Sequence, residues 1–196
     1  MALFNRNLEL VRRLVAGGAD VNRRFAGMSP CHLAVVMDTN SAALLQELLR
    51  HRSTSTTNSE LCDVNARDSI TGRTPLHYAV AHGNVPAVHC LGEVPGVKLD
   101  AADSEGWTAL HVAAQRGQLD QVMTLLNAGC VVNCVNVERY TPLHLAVEGH
   151  HRDVVEILIG RQADVTATAG PGMIITTVLM LIVNTQLRLQ PTFTRT

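Results

Sequence analysis

The chain has 196 residues and is 46 % apolar, so it can bury a sizeable core, yet aromatic residues make up only 3 %. Such a core is filled by Ala, Leu and Val, which suits short helices packed closely together. The formal net charge of −1 gives no electrostatic case for binding nucleic acid or inserting into an anionic membrane.

Residues 1–15 lack the apolar stretch and small-residue cleavage site of a secretory leader. Asn7 through Val15 reads as an apolar helix, and Gly18-Ala19-Asp20-Val21-Asn22 closes it. A four-residue phrase then recurs: Ser29-Pro30-Cys31-His32, Thr74-Pro75-Leu76-His77, Thr108-Ala109-Leu110-His111 and Thr141-Pro142-Leu143-His144. The hydroxyl residue is an N-cap, since its oxygen accepts from an orphan backbone N–H. In three of the four, Pro30, Pro75 and Pro142 follow at the first helical position, where the missing N–H costs nothing. Small and apolar residues continue each time, as in Leu76, Ala79 and Val80, giving a helix of about two turns. Gly83 and Gly117 stop two of these helices in the left-handed conformation; His150 and Asp38 hold that place in the fourth and first copies.

A second apolar helix is predicted over Val85–Leu91, Leu119–Leu126 and Val154–Ile159. Short turns close each unit, at Asp63-Val64-Asn65, Val97 to Asp100, Val131-Val132-Asn133 and Ala163-Asp164-Val165. The pattern divides the chain into a partial unit over 1–22 and four units over 23–68, 69–103, 104–136 and 137–169. A divergent tail occupies 170–196. The first full unit carries a polar inserted loop over 52–61, and the hairpin before Thr74 holds one extra residue. Loop insertions cost little, so the tract reads as a tolerated insertion, with phosphorylation of its Ser or Thr residues as the other reading. Burying one Leu or Val contributes about 1.5–3 kcal/mol, and fixing one backbone costs about 1–2 kcal/mol per residue. Each unit orders far more residues than it has large apolar ones, so units must stack to be stable.

The start supports two readings: a half-unit cap, or a shortened chain. The tail supports two as well. Either Thr177 to Val183 is a degenerate capping element over the apolar end, or the residues after about 169 are a foreign or alternatively encoded tail that packs poorly. The apolar run Met173 to Val183 is 11 residues long, too short to span a membrane. Five cysteines (Cys31, Cys62, Cys90, Cys130, Cys134) lack framework spacing, and their number is odd. They read as reduced thiols of an intracellular protein, cytoplasmic or nuclear.

No catalytic grouping stands out. No phosphate loop or nucleophile elbow is present. Cys130 and Cys134 lack a partner pair at zinc spacing. The chain is expected to be non-enzymatic and to need no cofactor or metal.

The four phrases, their register and the closing phrase Gly18 to Asn22 resemble ankyrin repeats over about residues 7–168. The resemblance implies an all-α ankyrin-repeat solenoid, a monomeric stack of about four full repeats plus partial terminal ones. Each repeat is helix-turn-helix followed by a β-hairpin loop. It also implies that His32, His77, His111 and His144 serve a local hydrogen-bond network instead of a metal. Such proteins bind partner proteins through hairpin tips and the exposed face of the first helix. Carried over, that places Met28, Arg73, Trp107 and Tyr140 along one rim. His82, Gln115, Arg116 and Glu148 lie exposed on the same side. Packing of Trp107 and Tyr140 onto neighbouring hairpins is the other reading. Asn22 is similar to ankyrin asparagines hydroxylated by an oxygen-sensing dioxygenase; the plainer reading is that its side chain closes the turn.

The implied function is binding of a protein partner, whose identity stays open, as scaffold, adaptor or inhibitor. Cys31-His32-Leu33-Ala34-Val35 and Gly72 to His77 are similar to the inhibitor-of-NF-κB group, although no acidic tail or phosphodegron is visible. A third reading is a fragment or targeting subunit of a larger ankyrin-containing enzyme.

Overall fold

Each Ser/Thr phrase opens a helix at the residue after the hydroxyl. In the computed structural model these are α2 (Pro30–Val36), α4 (Pro75–Ala81), α6 (Ala109–Gln115) and α8 (Pro142–Glu148). The structure describes residues 8–17, 19–36, 41–50, 62–170 and 173–174. Thr74, Thr108 and Thr141 are extended N-caps, each in a reciprocal capping box with the His three residues on. Histidine takes the place that Glu or Gln usually holds in such a box. The helices stop where the sequence reading puts them: Gly83 and Gly117 have φ of +70° and +66°, and His150 adopts +55°.

The second helices are α5 (Val85–Gly92), α7 (Leu119–Ala128) and α9 (Arg152–Gly160), preceded by α1 (Leu8–Ala16) and α3 (Ser41–Arg50). The sequence reading did not name α3, whose Leu44, Leu45 and Leu48 are all buried. First helices pack on first helices along the chain, α2 on α4 on α6 on α8. Second helices do the same, α1 on α3 on α5 on α7 on α9. One apolar cluster runs from Val11 to Ala163. Fully buried Ala34, Ala79, Ala113 and Ala146 sit at the same place in successive first helices and let their backbones approach. The architecture is an all-α solenoid in which each repeat is stable only against its neighbours.

Arg12 on α1 holds Glu47 on α3 at 2.9 Å, clasping the N-terminal helix to the stack. At the other end β1 (Thr168–Ala169) pairs antiparallel with β2 (Met173–Ile174), with Thr168 opposite Ile174. The predicted element over 177–183, the inserted loop over 52–61 and the stop at Asp38 lie outside the described residues.

The expectation that all five cysteines are reduced is corrected at one pair. Cys31 on α2 and Cys62 in the loop before α4 are joined by a disulfide. Cys90, Cys130 and Cys134 are free. Both joined residues are buried and lie 31 apart in sequence. No spacing rule flags such a pair; stacking of the loop on α2 brings the sulfurs together.

Candidate partner-binding surface

Four hairpin tips project in a row, over residues 23–28, 67–73, 102–107 and 135–140. A backbone bond closes the last three: Asp68 N–H to Arg73 O (2.8 Å), Asp103 N–H to Trp107 O (2.8 Å) and Asn136 N–H to Tyr140 O (3.1 Å). Phe25 and Met28 exchange both bonds in the first. Side chains hold the turns from within. Asp68 accepts from the N–H groups of Ile70, Thr71 and Arg73 and from the Thr71 hydroxyl. Burial pushes the Asp68 carboxyl up, but these donors outweigh it and bring the pKa down to about 2. Asp103 accepts from Glu105 and Trp107, and Asn136 from Tyr140. The three anchors stand five or six residues before their threonine; the sequence reading missed them, since the extra residue before Thr74 puts Asp68 out of step with the other two.

Adjacent tips are tied edge to edge. Ser69 N–H donates to Gly27 O (3.2 Å), Ser104 N–H to Thr71 O (2.9 Å) and Val137 N–H to Glu105 O (3.1 Å). The tips therefore form one ribbon across the repeats. Glycine occupies the left-handed position at three of them, Gly27, Gly72 and Gly106, while Arg139 holds it at the fourth with φ +66°. Arg139→Gly is expected to raise stability by about 0.5–1 kcal/mol in urea unfolding, since glycine adopts this conformation without strain.

Buried imidazoles latch each tip to the repeat before it. His32 Nε2 lies 2.9 Å from Arg73 O, His77 Nε2 2.8 Å from Trp107 O and His111 Nε2 2.9 Å from Tyr140 O. At the other ring nitrogen, the backbone N–H of Ser29, Thr74 and Thr108 points at Nδ1 from 3.2 Å. A backbone N–H only donates, so Nδ1 is bare and Nε2 carries the proton that the carbonyl accepts. Burial pulls His32, His77 and His111 below the usual histidine range, more than the carbonyls that favour the cation push them up. A second ladder ties the closing turns. Asn22, Asn65, Asp100 and Asn133 each accept from a backbone N–H of the next turn, at 2.7–2.8 Å.

Met28, Arg73, Trp107 and Tyr140 fall at equivalent places in the row and are all half-buried. Arg73 is held by Asp103 at 3.0 Å. The Trp107 ring stands 6.0 Å from His111, and the Tyr140 ring meets His144 edge-on at 5.9 Å. Part of each ring thus packs on its own repeat and part faces outward. His82, Gln115, Arg116 and Glu148 are exposed at the C-terminal ends of the first helices, with His82 stacked on Tyr78. Asn22 is half-exposed, its side-chain oxygen accepting from Asp63 N–H at 2.8 Å. The sequence reading passed over the outermost tip side chains, Phe25 (60 % exposed), Ile70 (82 %) and Val137 (73 %). Each stands four residues before its Ser or Thr.

One reactive-looking pair appears near the latches: the Cys134 thiol lies 3.7 Å from His111 Nδ1. Burial pushes the Cys134 thiol up and Cys130 to about 12, so neither is an activated thiolate.

The family model for ankyrin repeats (three copies) matches residues 1–103 and 94–169. The chain is 32 % identical over 171 residues to the Gallus gallus nuclear factor NF-kappa-B p105 subunit, covering 73 % of this chain and 17 % of that protein. It is 30 % identical over 163 residues to the Mus musculus B-cell lymphoma 3 protein homolog, covering 83 % and 33 %. Mus musculus Rabankyrin-5 is 30 % identical over 154 residues, covering 77 % and 12 %. The chain thus spans about a third or less of these relatives' own length.

Proposed function

The chain belongs to the ankyrin-repeat family, and from that premise we propose that it binds a protein partner through its row of tips and the adjoining ends of the first helices. It does so without catalysis, as a scaffold, adaptor or inhibitor. The observation that carries this reading is the latch series. Arg73, Trp107 and Tyr140 are each held through their own carbonyl by the imidazole of the preceding repeat. Their side chains are therefore displayed at a set spacing before any partner arrives, so little ordering entropy is lost on binding. Arg, Trp and Tyr are the residue types that dominate protein interfaces.

Similarity to the NF-kappa-B p105 subunit and to the B-cell lymphoma 3 protein homolog favours a narrower second reading, an inhibitor-of-NF-κB-like regulator of a transcription factor. That role places the chain in the cytoplasm or nucleus. Affinity capture with the full chain tests the interaction surface. Trp107→Ala/Tyr140→Ala and the fold-sparing Arg116→Glu/Glu148→Lys are each expected to weaken partner capture about tenfold or more. Capture of the same partners at the same level by wild type and both variants contradicts the assignment.

A further inference from the structure

Charge is segregated along the tips although the chain as a whole is close to neutral. The first tip carries Arg23 and Arg24 beside Phe25, and the second carries Arg67 near Ile70; all five side chains are exposed. Among the described residues none of these three arginines forms an ion pair with a carboxylate. The nearby acids are engaged in their own turns. Asp20 accepts from Asn22 N–H, Asp63 from Asn65 N–H, and Asp68 is buried under four donors. The third and fourth tips carry Glu105 and Glu138, with Arg139 beside the latter. Three exposed guanidiniums that form no ion pair among the described residues thus bracket two large exposed apolar side chains on the N-terminal two tips.

We infer that these two tips form a docking site for an extended acidic segment of a partner protein, one that carries large apolar side chains between its Asp and Glu residues. This rests on the protein-binding reading above and names the chemistry of one partner segment. Phe25 and Ile70 supply the apolar contact, and the guanidiniums of Arg23, Arg24 and Arg67 pair with carboxylates on either side. The bond from Ser69 N–H to Gly27 O holds the two tips at repeat spacing, which for packed helices is about 8–10 Å. An extended chain advances about 3.3 Å per residue. Apolar residues about three positions apart therefore meet the two tips in turn. Arginine is suited to this role because it pairs bidentately with carboxylates and stacks on apolar surface.

The test is fluorescence anisotropy with the full chain and a labelled short peptide in which Phe and Leu, three residues apart, are embedded in Asp and Glu. Two control peptides replace the acids by Lys, or the Phe and Leu by Ser. The acidic apolar peptide is expected to bind at least about tenfold tighter than either control. Arg23→Glu/Arg24→Glu/Arg67→Glu and Ile70→Ser are each expected to weaken it by about tenfold, while Arg161→Glu, an exposed reversal at the far end of the stack, leaves it unchanged. All replaced side chains are exposed, so melting curves should match wild type. No binding, equal binding of the serine control, equal binding of a random DNA duplex or anionic vesicles, or indifference to the triple reversal overturns the proposal. Partner capture separates the two readings. If the triple reversal captures every partner that Trp107→Ala/Tyr140→Ala loses, the acidic-segment proposal fails and the rim reading stands. If the Trp107/Tyr140 variant loses none, the rim reading itself fails.

Discussion

His111→Ala is expected to destabilise the stack by about 3–5 kcal/mol in urea unfolding. The imidazole is fully buried in the middle of the solenoid. Its loss leaves the Thr108 N–H without its acceptor and takes one partner each from the Thr108 hydroxyl and from the Tyr140 carbonyl, which keeps Asn136 N–H. Each buried polar group left without a partner costs about 1–3 kcal/mol, and the emptied ring volume adds a cavity. Two rescues separate these contributions. His111→Asn restores an acceptor near Thr108, and His111→Gln restores a donor that reaches Tyr140 O; each should recover about 1 kcal/mol relative to alanine. Equal stability of all three variants would show that the ring acts by volume alone. Because repeats are stable only through their neighbours, the loss should reduce the cooperativity of unfolding as well.

The same latch makes stability depend on pH. Burial holds the folded pKa of His32, His77 and His111 below the ordinary value of 6.5. Between the two values the unfolded chain binds more protons than the folded one, so stability rises with pH. The contribution is fully present above 6.5 and is lost as pH falls through the lower folded values. Asp68 acts later in the same direction. Its folded pKa of about 2 lies below the ordinary 3.8, so its contribution persists until pH falls through that lower range.

Gly106→Ala is expected to cost about 2–4 kcal/mol. With φ at +81°, alanine is strained at this position, and its Cβ would lie 2.8 Å from Val137 N and 3.1 Å from the Asn136 backbone. Those atoms belong to the next tip, and Val137 N–H is already committed to Glu105 O. The tip ribbon must open to make room. Gly129→Ala is the control: φ is +94° there, but nothing lies within 4 Å of the added carbon. That substitution should cost only the conformational penalty, about 1–2 kcal/mol. A Gly106 variant no worse than the Gly129 variant in equilibrium unfolding would mean the tips are not tied.

Much of the scaffold was legible in the residues because its signals are local. A hydroxyl N-cap, a proline at the first helical position and a left-handed stop fix a helix within one turn of sequence, and α4, α6 and α8 fall where those signals lie. His150 shows how far this goes: register alone marked it as a left-handed stop, and it adopts that conformation without being glycine. The second helix of the first full repeat, α3, lacked a regular register to point to it, since its repeat is the irregular one. Contacts between repeats were harder to see. The Cys31–Cys62 pair depends on how one loop stacks on a neighbouring helix. The tip anchor Asp68 is displaced by the extra residue in its hairpin, which breaks its match with Asp103 and Asn136. The exposed apolar tips at Phe25, Ile70 and Val137 carry no recurring residue type, and Ser104 interrupts them. The Trp107 and Tyr140 rings answer to two readings at once, because one edge packs on histidine while the rest faces out.

Everything proposed for the binding surface presupposes that neutral imidazoles lock each tip to its neighbour. Nitrogen NMR of the histidine rings, followed through an acid titration, reads this directly. His77 and His111 should show a protonated Nε2 and a bare Nδ1 at neutral pH, and should take up protons only below the ordinary 6.5. Rings that exchange between tautomers and take up protons near 6.5 in the folded protein would show that the latches do not exist.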